Sequence, residues 1–289
     1  MPIISSHKFL LWKEKQILKG GDYYSLSLLI DSLGGLSRKQ INSLTLSEKK
    51  KVNLKISLES LESVWDEHLL TSAPIQHLSG ITYWRDLKLE VSNKVLIPRP
   101  ETEIMIEIVS ELFKNNQGKK IFADLGTGSG ALSIALALAN PIWEGIATDV
   151  DKNVLDIASR NFANCSKQSN LSFYCGHWWN PLNNFKGKID LAVANPPYIP
   201  KDVYAELPLE VKNFEPKIAL FGGEDGLDHI KEIIKFAPLF LREKGWLLLE
   251  NHYDQGDKVK ELFHKKGFVG VRTLRDFSGI GRFTIGRYK

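Results

Sequence analysis

The stretch Asp124-Leu125-Gly126-Thr127-Gly128-Ser129-Gly130 decides the fold. An apolar run, Ile121–Leu125, leads into it, and a longer alanine- and leucine-rich run, Ala131–Ala139, follows. The first has the length of a buried strand and the second the length of a helix. Glycines at such a turn let the backbone come close to a ligand and take up dihedral angles closed to other residues. The free amides that open the helix then point at an anionic or polar group. Nineteen residues past Gly130, Asp149 ends the next apolar strand, where a carboxylate can accept both hydroxyls of a ribose. The pairing predicts a ligand that contains an adenosine. Gly126, Gly128 and Ala131 also satisfy the dinucleotide pattern GxGxxA. A nicotinamide-dependent dehydrogenase is therefore a competing reading, and a glycine turn without a ligand is the plainest one.

Downstream, strand and helix alternate. Gly145–Thr148, Leu171–Tyr174, Ile189–Ala194 and Trp246–Leu249 are predicted strands, and Asn153–Phe162, Leu227–Phe236 and a segment through Val259–Phe263 are predicted helices. This order predicts an α/β fold, a mostly parallel sheet covered on both faces. Phe268–Thr273 and Arg282–Arg287 follow each other with only a loop between, which predicts one antiparallel strand at the end. Trp178, after the third strand, offers a flat apolar wall for an adenine ring.

Upstream, residues 1–78 show helical spacing, with stops at Gly20-Gly21 and Gly34-Gly35 and a cap at Ser37. Within residues 79–98, Ile81–Trp84 and Leu87–Val91 predict a β-hairpin linker to the main domain at 99–289. Two prolines, Pro98 and Pro100, stop any helix from running through, and Thr102 is the expected cap of the helix that begins near Glu103. The formal charge of +4 on 289 residues is too small to require a nucleic-acid partner. No stretch approaches the length of a membrane span. The two cysteines, Cys165 and Cys175, match no metal-ligand spacing, and the seven histidines form no metal motif, so no metal is expected. Reduced thiols point to the cytoplasm.

The fourth predicted strand runs directly into Asn195-Pro196-Pro197-Tyr198. Ligands of open α/β sheets bind beyond the carboxyl ends of the strands, which puts this tetrapeptide beside the glycine loop. The Asn195 side-chain oxygen and the Pro196 carbonyl can each accept one hydrogen of a planar NH2 group. Pro196 and Pro197 fix the backbone and remove its amide donors, and Tyr198 supplies a ring on which a planar amide or base can stack. Such a pocket suits group transfer to a planar nitrogen by positioning and electrostatics. An ordinary turn is the simpler alternative for these residues.

Together these residues resemble the protein-(glutamine-N5) methyltransferases that modify the GGQ glutamine of class I peptide chain release factors. The resemblance runs through Pro74–Gly80, Leu96-Ile-Pro-Arg-Pro-Glu-Thr-Glu103, Asp124–Gly130, Asn195–Tyr198, Phe214-Glu215-Pro216, Leu220 and the Arg282–Tyr288 ending. It implies a Rossmann-like, seven-stranded S-adenosylmethionine-dependent methyltransferase domain behind a small N-terminal helical domain that docks the substrate. It further implies that Gly126, Thr127, Gly128, Ser129 and Gly130 hold the donor, with Asp149 at its ribose and Trp178 at its adenine. Asn195 would lie between donor and acceptor, and Pro196, Pro197 and Tyr198 would line the glutamine pocket. The implied product is S-adenosylhomocysteine, the partners are class I release factors, and neither a membrane nor a direct nucleic-acid substrate is expected. Transfer to an exocyclic amine of a DNA or RNA base is the alternative, since NPPY alone is shared with such enzymes. Two positions depart from the family's pattern. His177 stands before Trp178 where an acid is common, and Glu250-Asn251-His252-Tyr253 follows the fifth strand where the family tends towards LLLEhG.

Overall fold

A computed structural model describes residues 1–44, 50–116, 118–167 and 170–289 of the chain. The chain divides into two compact units, Met1–Thr82 with Val91–Asn93, and Tyr83–Glu90 with Lys94–Lys289.

The first unit is built from helices α1 (Ser6–Lys19), α2 (Tyr23–Leu29), α3 (Arg38–Asn42), α4 (Leu58–Thr71) and α5 (Ile75–Ser79). They enclose Phe9, Leu26, Leu29, Ile30, Leu61 and Trp65. The Gly20-Gly21 stop has a steric reason. Gly21 sits at φ 78°, and a β-carbon there would come within 2.6 Å of the Trp65 ring. Ser37 caps α3 as expected, in a reciprocal capping box with Gln40. The helical reading missed a small sheet in which β1 (Ile3–Ser5) pairs antiparallel with β2 (Lys51–Asn53). Three-residue strands carry too little alternation to register as a period.

The second unit holds the large sheet. Its strands are β5 (Ile121–Leu125), β6 (Glu144–Asp149), β7 (Leu171–Cys175), β8 (Ile189–Ala194), β9 (Leu241–Glu250), β10 (Phe268–Arg275) and β11 (Gly281–Tyr288), after a hairpin of β3 (Ile81–Trp84) and β4 (Leu87–Glu90) that both units share. The order across the sheet is β10-β11-β9-β8-β5-β6-β7. Six strands run in one direction, and β11 lies antiparallel between β9 and β10, as the sequence order predicted. All six residues of β8 are buried, as a central strand covered on both faces requires. Alternation divides its side chains. Leu191 and Val193 join the core under α6 (Ile104–Phe113) and α7 (Ala131–Ala139), while Ala192 and Ala194 face the core under α12 (Asp228–Phe240) and α13 (Gly256–Lys265). The helix α8 (Lys152–Cys165) joins β6 to β7, and α9 (Lys201–Glu206), α10 (Leu209–Phe214) and α11 (Lys217–Leu220) follow β8.

Three local expectations are corrected. β9 begins five residues earlier than Trp246, because the polar run Arg242–Gly245 bulges out of register between Leu241 and Trp246, with Lys244 at φ 64°. A run of charges resembles a turn, and only the partner strand makes it part of a strand. α12 continues past Phe236 through Pro238 to Phe240. The proline lies in the last turn, where its missing amide removes a single helical bond. Thr102 does not cap a helix. It sits inside a 3-10 turn, Pro100–Glu103, and its hydroxyl points at Glu250 instead.

The core of the first unit depends most on Trp65, whose ring is completely buried and whose Nε1 donates to the Gln16 carbonyl at 3.2 Å. Trp65→Ala should destabilise this unit by about 3–5 kcal/mol in urea titrations followed by circular dichroism. A change under about 1 kcal/mol would mean that the helices do not depend on this ring.

Candidate active site

The sheet reverses its winding between β5 and β8. From β5 the chain proceeds outward through β6 to β7, and from β8 it proceeds the other way to β9. The loops after β5 and β8 therefore leave a crevice between them. A cavity of about 250 Å3 lies there, lined by Gly126, Thr127, Gly128, Ser129, Asp149, Trp178, Asn195 and Pro197, with Trp84, Arg99 and Thr102 from the segment before α6. Every lining residue belongs to the second unit.

The glycine loop is held by its own backbone. The amides of Gly126 and Thr127 both donate to the Thr148 carbonyl, at 2.9 and 2.8 Å. Gly126, Gly128 and Gly130 all have positive φ, at 76°, 56° and 85°. A β-carbon at Gly126 would strike the Trp178 ring at 2.8 Å, whereas one at Gly128 would meet nothing within 4 Å. The first glycine serves packing, and the second leaves open room beside an unshielded backbone. Asp124 is buried beneath the loop and accepts from Thr127 Oγ1 at 2.7 Å, and that hydroxyl also contacts Ser133 Oγ at 2.7 Å. Burial pushes the Asp124 carboxyl up to about 6.

Asp149 stands at the end of β6. One carboxylate oxygen accepts from the Gly128 amide at 3.0 Å, and the other from the Asp151 amide at 3.2 Å. Each oxygen retains a further lone pair. Burial raises its pKa above the ordinary aspartate value, and these amides work against the shift. Trp178 holds φ 46°, a left-handed angle that is rare for a bulky residue. Its ring is buried against Gly126, and its indole N–H has no partner among the described residues. His229 meets the ring edge-on at 5.6 Å, and His177 lies 5.4 Å away. Burial, and then the proximity of His177, lower the His229 pKa. In place of the acid common before the tryptophan, His177 faces Glu232 at 3.2 Å.

Of the tetrapeptide after β8, Asn195 and Pro197 line the cavity, while Pro196 is buried and Tyr198 half-buried outside its lining. Asn195 Nδ2 donates to Thr102 Oγ1 at 3.1 Å. Thr102 Oγ1 in turn donates to Glu250 Oε2 at 2.7 Å, and the Tyr198 hydroxyl donates to Glu250 Oε1 at 3.0 Å. Burial carries the Glu250 carboxyl from its usual 4.5 to about 7, against the pull of these two hydroxyls and of Arg282. Burial and the Glu250 charge also raise the Tyr198 hydroxyl well above its ordinary value, so it remains a donor.

Several residues that hold this loop escaped the sequence reading. Gln255 Nε2 donates to the Tyr198 carbonyl at 3.0 Å, while its Oε1 accepts from the His252 amide at 2.9 Å. Gly222 and Gly226 lie against the backbone of the tetrapeptide. A β-carbon at Gly222 would fall 2.8 Å from the Pro197 carbonyl oxygen, and one at Gly226 would fall 2.3 Å from that of Tyr198. Glu215 is paired by Arg99, whose Nη2 reaches both carboxylate oxygens at 2.6 Å. Asn251, one of the departures, is fully buried and accepts from Thr284 on β11 at 2.8 Å. A Gly-Gly-x-x-Gly sequence after Phe221 was the one local signal for the glycines. The other partners lie too far along the chain for any local period to reveal them.

Residues 102–206 match the family described as "Methyltransferase small domain". A release factor glutamine methyltransferase from Prochlorococcus marinus is 42% identical over 97% of this chain and 96% of its own length. Proteins of the same name from Synechocystis sp. and Streptococcus pneumoniae are 33% and 34% identical, with 95% or more of each chain covered. Among solved structures, the catalytic domain of hMettl16 in complex with a MAT2A 3'UTR hairpin overlays with a TM-score of 0.58 at 16% identity, over 94% of both chains. The 16S rRNA N2 G1207 methyltransferase of T. thermophilus, in complex with AdoMet and guanosine, gives 0.53 at 16% identity over 72% of this chain and 50% of that one. At these identities the two structures share the fold of this chain.

Two outcomes follow from the packing and charge at the site. Gly226→Ala should destabilise the protein by about 2–4 kcal/mol, because φ 72° and a 2.3 Å approach to backbone leave no relaxed position for the methyl. Thermal unfolding of the variant checks this, and an unchanged midpoint would contradict it. Glu250 holds its proton more tightly in the folded chain (about 7) than in the unfolded chain (4.5). Its contribution to stability is therefore complete below the unfolded value and lost as pH rises through the folded one. Urea titrations at about pH 4 and about pH 8 should show that Glu250→Gln flattens this fall. Parallel pH dependence in the two proteins would refute the assignment.

Proposed function

We infer the reaction from family membership: this chain belongs to the release factor glutamine methyltransferases, being 42% identical to one member over 97% of its length. It is an enzyme that methylates the side-chain amide nitrogen of a release-factor glutamine. The observation at the site that supports this most is the placement of the Asn195 carboxamide and the glycine loop in the wall of one cavity. We assign the acceptor to the glutamine of the GGQ motif of class I factors, the docking of that factor to residues 1–78, and the place of action to the cytoplasm. No helix among the described residues is long and apolar enough to cross a membrane.

The donor assigned to the crevice is S-adenosylmethionine, whose sulfonium supplies an electrophilic methyl group. Three features of the chain fit it. Gly128 leaves room beside its backbone, Asp149 keeps a lone pair on each oxygen for ribose hydroxyls, and the buried Trp178 ring offers an apolar face and an unpaired N–H near an adenine. Gly126, Thr127, Ser129 and Gly130 complete the wall beside the methionine part. On the acceptor side, Asn195 Oδ1 and the Pro196 carbonyl accept the two amide hydrogens of the glutamine. Pro197 adds no competing amide donor, and the Tyr198 ring flanks the amide plane. An amide nitrogen is a weak nucleophile because its lone pair is delocalised into the carbonyl. Two acceptors hold it in one orientation and stabilise the positive charge that grows on it during transfer.

Incubation with methyl-labelled S-adenosylmethionine should label a class I release factor, and replacing its GGQ glutamine should abolish the label. Label on DNA or tRNA with none on the factor would overturn the assignment. Asn195→Ala should leave donor affinity within about threefold by calorimetry while cutting turnover by about 10²–10³-fold. Near-normal turnover in that variant would remove Asn195 from the reaction.

A further inference from the structure

We propose that Thr102 and Glu250 form a one-way hydrogen-bond relay that fixes the Asn195 carboxamide with its oxygen, not its NH2, toward the acceptor. The inference deepens the reading above and rests on it for the identity of the acceptor.

A carboxamide has two ends of opposite polarity and nearly equal shape, so packing alone does not choose between them. The chain has to make that choice by hydrogen bonding, because a flipped Asn195 would present donors to an incoming NH2 group. Glu250 makes the choice at one remove. Above about pH 7 Glu250 is mostly ionised, and an ionised carboxylate only accepts. Its Oε2 therefore commits the single proton of Thr102 Oγ1, at 2.7 Å. With that proton committed, Thr102 Oγ1 can only accept from the amide beside it, and the atom of Asn195 at 3.1 Å must be Nδ2. The bond consumes one hydrogen of Nδ2 and no lone pair of Oδ1, so the acceptor atom keeps its full capacity.

Burial shields the relay from water. Glu250 is 1% and Thr102 7% exposed, so water does not compete for either group. The second carboxylate oxygen is taken by Tyr198, the residue directly after the two prolines. The same acid thus fixes both ends of the tetrapeptide, and Arg282 favours its ionised form. The three relay residues lie 93 and 148 positions apart in sequence, at the ends of β8 and β9 and in the turn before α6. Neither Thr102 nor Glu250 is assigned a contact with the transferred methyl or its acceptor. They are positioning residues.

The variants Thr102→Val, Thr102→Ser and Glu250→Gln test the relay in the full-length enzyme, assayed above the Glu250 pKa of about 7. Valine keeps the shape and removes the acceptor, so kcat should fall about ten- to hundredfold while donor Kd and release-factor KM stay within about threefold. Serine retains the hydroxyl and should restore kcat to near the wild-type value. Glutamine can donate to Thr102 and so frees it to donate to Asn195 Oδ1, which should lower kcat with the same unchanged affinities. A readout independent of the reaction is the side-chain 15NH2 signal that disappears in Asn195→Ala. Its hydrogen exchange should be slow in wild type and Thr102→Ser, and faster in Thr102→Val. Wild-type kcat in Thr102→Val or in Glu250→Gln, a Thr102→Val loss that serine does not restore, or equal exchange in wild type and Thr102→Val would each overturn the relay. Failure of the wild-type enzyme to label any release factor would sink the functional reading instead, and the exchange measurement would still decide the relay.

Discussion

Everything at the site depends on β5 and β8 lying side by side while their connections leave in opposite directions. α7 follows β5 and packs on one face of the sheet, whereas α12 precedes β9 and packs on the other. No helix crosses over the carboxyl ends of this central pair, so the backbone there is open to a ligand. The pair can be central because its side chains are apolar on both faces, with Phe122 and Leu191 to one side and Ala123 and Ala192 to the other. Small residues on one face let α12 approach closely, and large ones on the other fill the space under α7. The order of the strands follows from this packing, and the position of the crevice follows from the order.

The two halves of the crevice are specified differently. The glycine loop is a local device, in which three positive φ angles, one carbonyl and one buried aspartate set its path within a few residues of chain. Sequence reading recovers such a device because glycine spacing records the dihedral angles directly. The loop after β8 is a long-range assembly. Its visible motif, Asn195–Tyr198, is short, but Gln255, Gly226, Thr102 and Glu250 hold it in place. Thr102 shows why this part was less legible. A threonine beside a helix start has a local use as a cap, and local logic assigned it that use. Its actual partner lies 148 residues away. Glu250 stood out in sequence only because an unusual Asn251-His252 follows it, and its place beneath Thr102 and Tyr198 depends on the register of β9, which the bulge at Arg242–Gly245 obscures.

Charge at the site follows the same division. Asp149 accepts two backbone amides at the edge of the cavity and keeps capacity for hydroxyl donors. Glu250 lies deeper, and among the described residues its hydrogen-bond donors are the Thr102 and Tyr198 hydroxyls. A carboxylate bound by amides tolerates exchange of its remaining partners, since the amides are fixed by the fold. One bound only by hydroxyls depends on rotors that must all point the same way. The first arrangement suits a surface that takes up and releases a ligand, and the second suits a part that has to stay set from one turnover to the next.

The place of β11 has a consequence for vectorial synthesis. This strand is made after β10 yet lies between β10 and β9, and β10 has no other neighbour in the sheet. While a growing chain has emerged only as far as β10, that strand has nothing to pair with, and β9 is left as an open edge that carries Leu247 and Leu249. The Asn251 amide likewise waits for the Arg282 carbonyl, and the Asn251 side chain waits for Thr284. The strands around the glycine loop are thus made before the strand that completes the sheet beside β9. Until the closing strand is made, Glu250 lacks the pairing that Phe283 gives it in the sheet.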